Sequence, residues 1–159
     1  MAYRALERPR IGWIGAGRMG LQMASRLLDA GHDVAIYNRT AAKAAPMVSR
    51  GCVAVDSPAD LAGRDVVFAM VSGSDDLLQV TTGANGVLTD PDCSPKLFVD
   101  FSTVSMEASA AVREAGEKRG TDVLAAPVSG NPKVVAAGQL TMAVSGTREM
   151  FDVVHPYFD

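Results

Sequence analysis

The sequence predicts an α/β domain, an open and mostly parallel sheet, doubly wound, with helices on both faces. Three observations carry that prediction. Short apolar runs alternate with amphipathic segments at nearly every step, the order of consecutive strand–helix units. Runs such as Val66-Val67-Phe68-Ala69-Met70-Val71 are continuously apolar, as strands covered on both faces must be. A Gly15-x-Gly17-x-x-Gly20 turn joins the first apolar run to the first amphipathic segment.

Each element can be justified in order. Arg10 to Ile14 reads as a short buried strand ending in the glycine turn. A helix follows over roughly Arg18 to Ala30, with Met23, Ala24, Leu27 and Leu28 on one face and Gly31 as its left-handed stop. Asp33 to Tyr37 is the second strand, and Thr40 can cap a helix through Ala41, Ala44 and Val48. Pro46 removes a donor inside that helix, so a kink or a late start is expected there. Val53 to Val55 is a brief strand. Ser57 then caps a short helix with Pro58 in its first position.

Asp65 to Val71 is the fourth strand, and Ser72 or Ser74 is expected to cap the helix that carries Asp75 and Asp76 in its first turn. Gly83-Ala84-Asn85-Gly86 breaks the chain before the surface loop Asp90-Pro91-Asp92. Lys96 to Asp100 is the fifth strand. Ser105 caps a helix whose apolar face is read as Ala108, Ala111, Val112 and Ala115, stopped by Gly120. Thr121 to Ala125 and Leu140 to Val144 are two further strands, and a last helix starts near Thr147.

Composition narrows the function classes. A chain of 159 residues is read as one domain spanning 1–159. Apolar residues at 48% and charged residues at 21% are those of a soluble globular protein. A net charge of −3 with no basic block argues against a nucleic-acid binder. Met1 to Arg10 is polar, without the apolar core of a secretory signal, and no apolar run approaches the ~18 residues of a membrane span. Cys52 and Cys93 lie in no metal or redox motif. A cytoplasmic protein without disulfides or a metal site, and without nucleic-acid or membrane partners, is the expectation.

The glycine turn carries the chemistry. Gly15 allows the tight bend, Gly17 lets backbone approach a diphosphate, and Gly20 lets helix and strand pack closely. The diphosphate of a dinucleotide would rest on the free N–H groups of the helix start, at Gly15, Ala16, Gly17, Arg18 and Met19. This is a Rossmann-type arrangement. The second strand selects the cofactor: it ends Tyr37-Asn38-Arg39-Thr40, without the acid that binds unmodified ribose hydroxyls. Arg39 can pair with a 2′-phosphate, and Asn38 and Thr40 can donate to it. NADP(H) is therefore expected to be preferred, with NAD(H) possible.

Four segments then carry a family resemblance: Ile14 to Gly20, Asn38-Arg39-Thr40, Asp100-Phe101-Ser102-Thr103-Val104-Ser105, and Ala126-Pro127-Val128-Ser129-Gly130, followed by Ala137-Gly138-Gln139-Leu140-Thr141. Over nearly its whole length the chain resembles the β-hydroxyacid dehydrogenases, which include 3-hydroxyisobutyrate dehydrogenase, tartronate semialdehyde reductase and, more remotely, 6-phosphogluconate dehydrogenase. The resemblance implies that Val71 and Ser72 line the cofactor and that Thr103 lies at its nicotinamide end. It also implies that Ser129 and Gly130 hold the carboxylate of a small substrate. Asn131-Pro132-Lys133 departs from the small residues common after the second of these, so the resemblance leaves the substrate open.

The resemblance further implies a second, helical domain that supplies a catalytic lysine and takes part in homo-oligomer formation. No lysine up to Asp159 matches that position, since Lys43, Lys96, Lys118 and Lys133 sit in other contexts. The chain alone is thus expected to bind cofactor without turnover. The apolar crowding from Phe151 to Phe158 is expected to self-associate or to be disordered. Two other readings share the fold: an imine reductase, against which the Asp100 to Thr103 and Pro127 to Gly130 segments speak, and a non-catalytic nucleotide-binding module.

Overall fold

The computed structural model of the protein describes residues 8–158. The polar segment before Arg8 and the terminal Asp159, on which part of the sequence reading falls, lie outside the described residues.

Six strands form one parallel sheet: β1 Ile11–Ile14, β2 Val34–Tyr37, β3 Val53–Ala54, β4 Val66–Ala69, β5 Leu97–Asp100 and β6 Asp122–Ala125. Their order is β3-β2-β1-β4-β5-β6, every neighbouring pair parallel. The direction of winding reverses between β1 and β4, which leaves a crevice at their carboxyl ends. Strands β1, β4 and β5 are buried at every position, matching their unbroken apolar character.

Helices α1 Arg18–Asp29, α2 Ala45–Val48, α3 Ser74–Thr82 and α4 Met106–Arg119 connect these strands. One core packs around Trp13, Phe68, Phe101 and Met23. The other, on the opposite face, packs around Ile14, Leu77, Phe98 and Val112. The predicted face of α1 is correct: Met23, Ala24 and Leu27 are buried and Leu28 half-buried. Pro46 gives the late start foreseen for it. Ala41–Ala44 is a 3₁₀ turn, and α2 begins only where proline's missing donor is harmless.

Several local readings need correction. Neither Ser72 nor Ser74 caps α3; Gly73 does, and the Ser74 hydroxyl instead accepts the N–H of Ser105 at 2.9 Å. Thr40 stands at the cap position of its turn without a side-chain bond. Ala111 is exposed, because α4 rests on Ala108, Val112 and Gly116, one residue series further round. Leu140 to Val144 does not extend the parallel sheet. Its core, β8 Thr141–Met142, pairs antiparallel with β7 Val128–Ser129, and a short helix α5 Pro132–Ala136 lies between them. β7 and α5 are too short for periodicity to reveal.

The terminal segment is the largest correction. Helix α6 Arg148–Val154, capped by Thr147, passes into a 3₁₀ turn at His155–Tyr157. That turn aims the last aromatic residues inward. Val154 is fully buried, the Tyr157 ring meets Phe68 at 6.2 Å, and Phe158 meets Phe101 at 5.8 Å, both edge-on. The apolar crowding read as a sticky tail is ordered and extends the aromatic stack of Trp13, Phe68 and Phe101.

This docking is testable, because Trp13 is the only tryptophan and sits in that stack. Phe158→Ala should lower stability by about 1–2 kcal/mol, less than for a fully buried phenylalanine, and red-shift the Trp13 emission. Unchanged emission and stability in urea titrations would show that the tail does not pack there.

Candidate functional site

The crevice at the β1/β4 reversal is a cleft with two walls. One is made by Tyr37, the last residue of β2, with Asn38, Arg39, Thr40 and Lys43 after it; the other by Met70, Val71, Ser72, Asp76 and Gln79, which follow β4. Gly15 and Gly17 form its floor.

The three glycines have separable tasks. Gly15 adopts φ +106°, and a Cβ there would lie 2.0 Å from the Met70 carbonyl oxygen. A Cβ on Gly20 would lie 2.2 Å from the Gly15 carbonyl oxygen. Both are glycine because protein backbone occupies the space. Gly17 differs. Its φ of −71° suits any residue, and a Cβ there would meet nothing within 4 Å. Nothing in the protein itself requires glycine at 17; the open space in front of it is where a bound diphosphate would need room.

The helix starts agree. Helices α4, α5 and α6 each carry a capping side chain, Ser105, Asn131 and Thr147. Helices α1 and α3, which flank the cleft, carry none, nor does the single-turn α2, and the first turn of α1 holds no acid. The N–H groups at the start of α1 are thus left for an anion, with Arg18 exposed beside them. Met19, half-buried, packs on the core instead. Ala16 is buried and its N–H donates to Asn38 Oδ1 at 2.8 Å.

That bond gives Asn38 a task the sequence did not show. Its Oδ1 holds the glycine turn while its Nδ2 donates to the Thr40 carbonyl at 2.9 Å. Asn38 therefore ties the phosphate turn to the end of β2. The Arg39 side chain is 83% exposed, and its Nη1 lies 3.3 Å from Asp76 Oδ1 across the cleft. Lys43, set aside in the sequence reading, lines the same wall from the 3₁₀ turn Ala41–Ala44.

The far wall is set by a buried polar network. The Val71 N–H donates to Ser102 Oγ at 2.9 Å, and the Ser102 N–H donates to Asp100 Oδ1 at 2.9 Å. Burial raises the Asp100 carboxyl above its ordinary value, and the hydrogen bonds from Ser102 oppose that rise. The network locks the ends of β4 and β5 together. Thr103, one residue on, is exposed and is not among the residues lining the cleft. Ser129 is exposed on β7, and Gly130 follows at φ +153° against Leu140. Neither lines the cleft, so within this chain the residues expected to hold substrate stand apart from those around the glycine turn.

Residues 10–159 match the model of the NAD-binding domain of 6-phosphogluconate dehydrogenase. The chain belongs to this family. Several relatives are named as oxidoreductases: glyoxylate/succinic semialdehyde reductase 2 of Arabidopsis thaliana is 35% identical over 150 residues, 94% of this chain and 42% of its own length. Among solved structures, 3-hydroxyisobutyrate dehydrogenase of Mycobacterium tuberculosis, bound to L-serine, is 29% identical with a TM-score of 0.82. It is matched over 94% of this chain and 50% of its own. A structure of Psf3 with NADP⁺ and 2-OPP is 30% identical with a TM-score of 0.85, over 93% of this chain and 52% of that one. The chain spans about half the length of the relatives it matches.

The family model is that of an NAD-binding domain, and the residues that line the cleft fit a dinucleotide. Among the described residues no helix is long and apolar enough to cross a membrane. The separation of glycine tasks is open to test. Gly17→Val should change stability by less than about 1 kcal/mol, the scale of a helix N-cap substitution, yet abolish dinucleotide binding. Gly20→Ala should destabilise the fold itself by about 2 kcal/mol or more through the backbone overlap. Normal cofactor affinity in a folded Gly17→Val variant, measured by calorimetry, contradicts the assignment.

Proposed function

We propose that this chain is the NADP(H)-preferring cofactor domain of an oxidoreductase acting on a small 3-hydroxy acid or semialdehyde. One observation carries the cofactor reading: Arg39 stands on the cleft wall directly after β2, where an acid would serve NAD(H), and no acid occurs from Tyr37 to Thr40. Lys43 adds a second cation on that wall and Thr40 a hydroxyl. The structure of Psf3 with NADP⁺ supports the reading by likeness.

The substrate class rests on the relatives. The Arabidopsis relative is named for glyoxylate and succinic semialdehyde, and the mycobacterial dehydrogenase was solved with L-serine, itself a small 3-hydroxy acid. Each of these has a carboxylate. The Ser129 hydroxyl and the N–H groups around Gly130 suit such a group, since they offer donors without a competing charge.

When bound, the nicotinamide supplies or accepts the hydride. The chain's residues orient it: the start of α1 receives the diphosphate, Arg39 and Lys43 face the adenosine 2′ substituent, and the Asp100–Ser102–Val71 network fixes the far wall. None of Lys43, Lys96, Lys118 and Lys133 stands where the family resemblance puts the proton-exchanging lysine, so that acid belongs to a further domain, within a homo-oligomeric enzyme. Loss of general acid–base help alone costs about 10²–10⁴ in rate.

The binding test is direct. NADP(H) should bind about tenfold more tightly than NAD(H), or ~1.4 kcal/mol, and Arg39→Asp should reverse or abolish that preference. Equal affinities for the two cofactors in calorimetry sink the cofactor reading. In a coupled absorbance assay the chain alone should show no turnover with glyoxylate, succinic semialdehyde or a cyclic imine. Full turnover would place the proton donor among residues of this chain.

A further inference from the structure

We infer that Asp76 is a cofactor-specificity residue: its carboxylate holds Arg39 across the cleft and competes with a 2′-phosphate for the same guanidinium. The inference rests on the reading of Arg39 given above. Arg39 and Asp76 are 37 residues apart in the chain, yet their charged groups meet at 3.3 Å, one on the turn after β2 and one in the first turn of α3. Both side chains line the dinucleotide cleft.

The pair is solvent-facing, with Arg39 83% and Asp76 36% exposed, and such pairs are weak enough for a stronger anion to displace. A phosphomonoester is that anion. It carries about −1.5 to −2 charge and three acceptor oxygens, against one charge and two oxygens on the carboxylate. The phosphate therefore takes Arg39, but it must first separate the pair. Afterwards two anions face one guanidinium, with Lys43 as the only other cation on the cleft wall among the described residues.

An unphosphorylated ribose disturbs nothing, because Arg39 keeps its partner. Asp76 thus weakens NADP(H) binding selectively and narrows the preference that Arg39 creates. Helix stabilisation does not account for this acid. Asp75 already places a carboxylate in the same first turn, where the helix dipole favours it, and Asp75 makes no bond to Arg39.

The test is a calorimetric titration of the chain and its variants with NADPH and with NADH. Asp76→Asn should tighten NADPH about fivefold, the scale of an exposed ion pair, and leave NADH within about twofold. In an Arg39→Ala background the same substitution should have no effect on NADPH. Asp75→Asn, which removes equal charge without breaking the pair, should tighten NADPH by less than about twofold. Asp76→Ala repeats the test should the asparagine variant prove unstable in thermal unfolding.

Equal tightening by Asp75→Asn and Asp76→Asn overturns the inference in favour of a general field effect. An unchanged Asp76→Asn, while Arg39→Ala weakens NADPH, overturns it and leaves the Arg39 reading intact. If Arg39→Ala itself leaves NADPH binding unchanged, the underlying reading fails and the inference falls with it.

Discussion

The functional end of this domain depends on how closely the turn after β1 approaches its neighbours. The Gly15 backbone is packed against the Met70 carbonyl on one side and against the start of α1 on the other, with no room for a side chain at Gly15 or Gly20. Trp13 reinforces the turn from below, its indole N–H donating to the Gly15 carbonyl at 2.8 Å. Asn38 reinforces it from the side through the Ala16 N–H. A turn fixed on three sides keeps the start of α1 aimed into the cleft, so its donors need little reorganisation when an anion arrives.

The two cores make that fixation possible. The aromatic stack of Trp13, Phe68 and Phe101 lies beneath the turn and is closed at its end by Tyr157 and Phe158. On the other face, Leu77 and Val80 seat α3 against the sheet and so bring Asp76 to the cleft wall. Packing far from any ligand therefore decides which charges face one another. The Asp100–Ser102–Val71 chain does the same for the end of β4 with hydrogen bonds, and each of those polar groups is partnered.

Much of this was legible in the sequence because it is local. The glycine turn, the continuous strands and the caps at Ser105 and Gly31 each follow from a few neighbouring residues, and so does the late helix start at Pro46. That Asn38, Arg39 and Thr40 share a cleft with the glycine turn was legible for the same reason. What was missed is non-local. Asp76 meets Arg39 only after α3 is seated, and Asn38 shows its role only when Ala16 is beside it. Lys43 stands on the cleft wall from the 3₁₀ turn Ala41–Ala44, where the sequence pattern had suggested a regular helix. The terminal aromatics were misjudged for want of the turn at His155–Tyr157, which converts an apolar tail into core.

The dinucleotide is expected to occupy the cleft between the ends of β1 and β4. Titrating the ¹⁵N-labelled chain with NADPH and following backbone amide shifts tests it most directly. The largest changes should fall on Gly17, Arg18, Met19, Arg39 and Ser72, with little change in β7, β8 or α6. Changes centred instead on the apolar cavity lined by Met23, Leu140, Met142 and Tyr157, or none at saturating cofactor, would contradict the account.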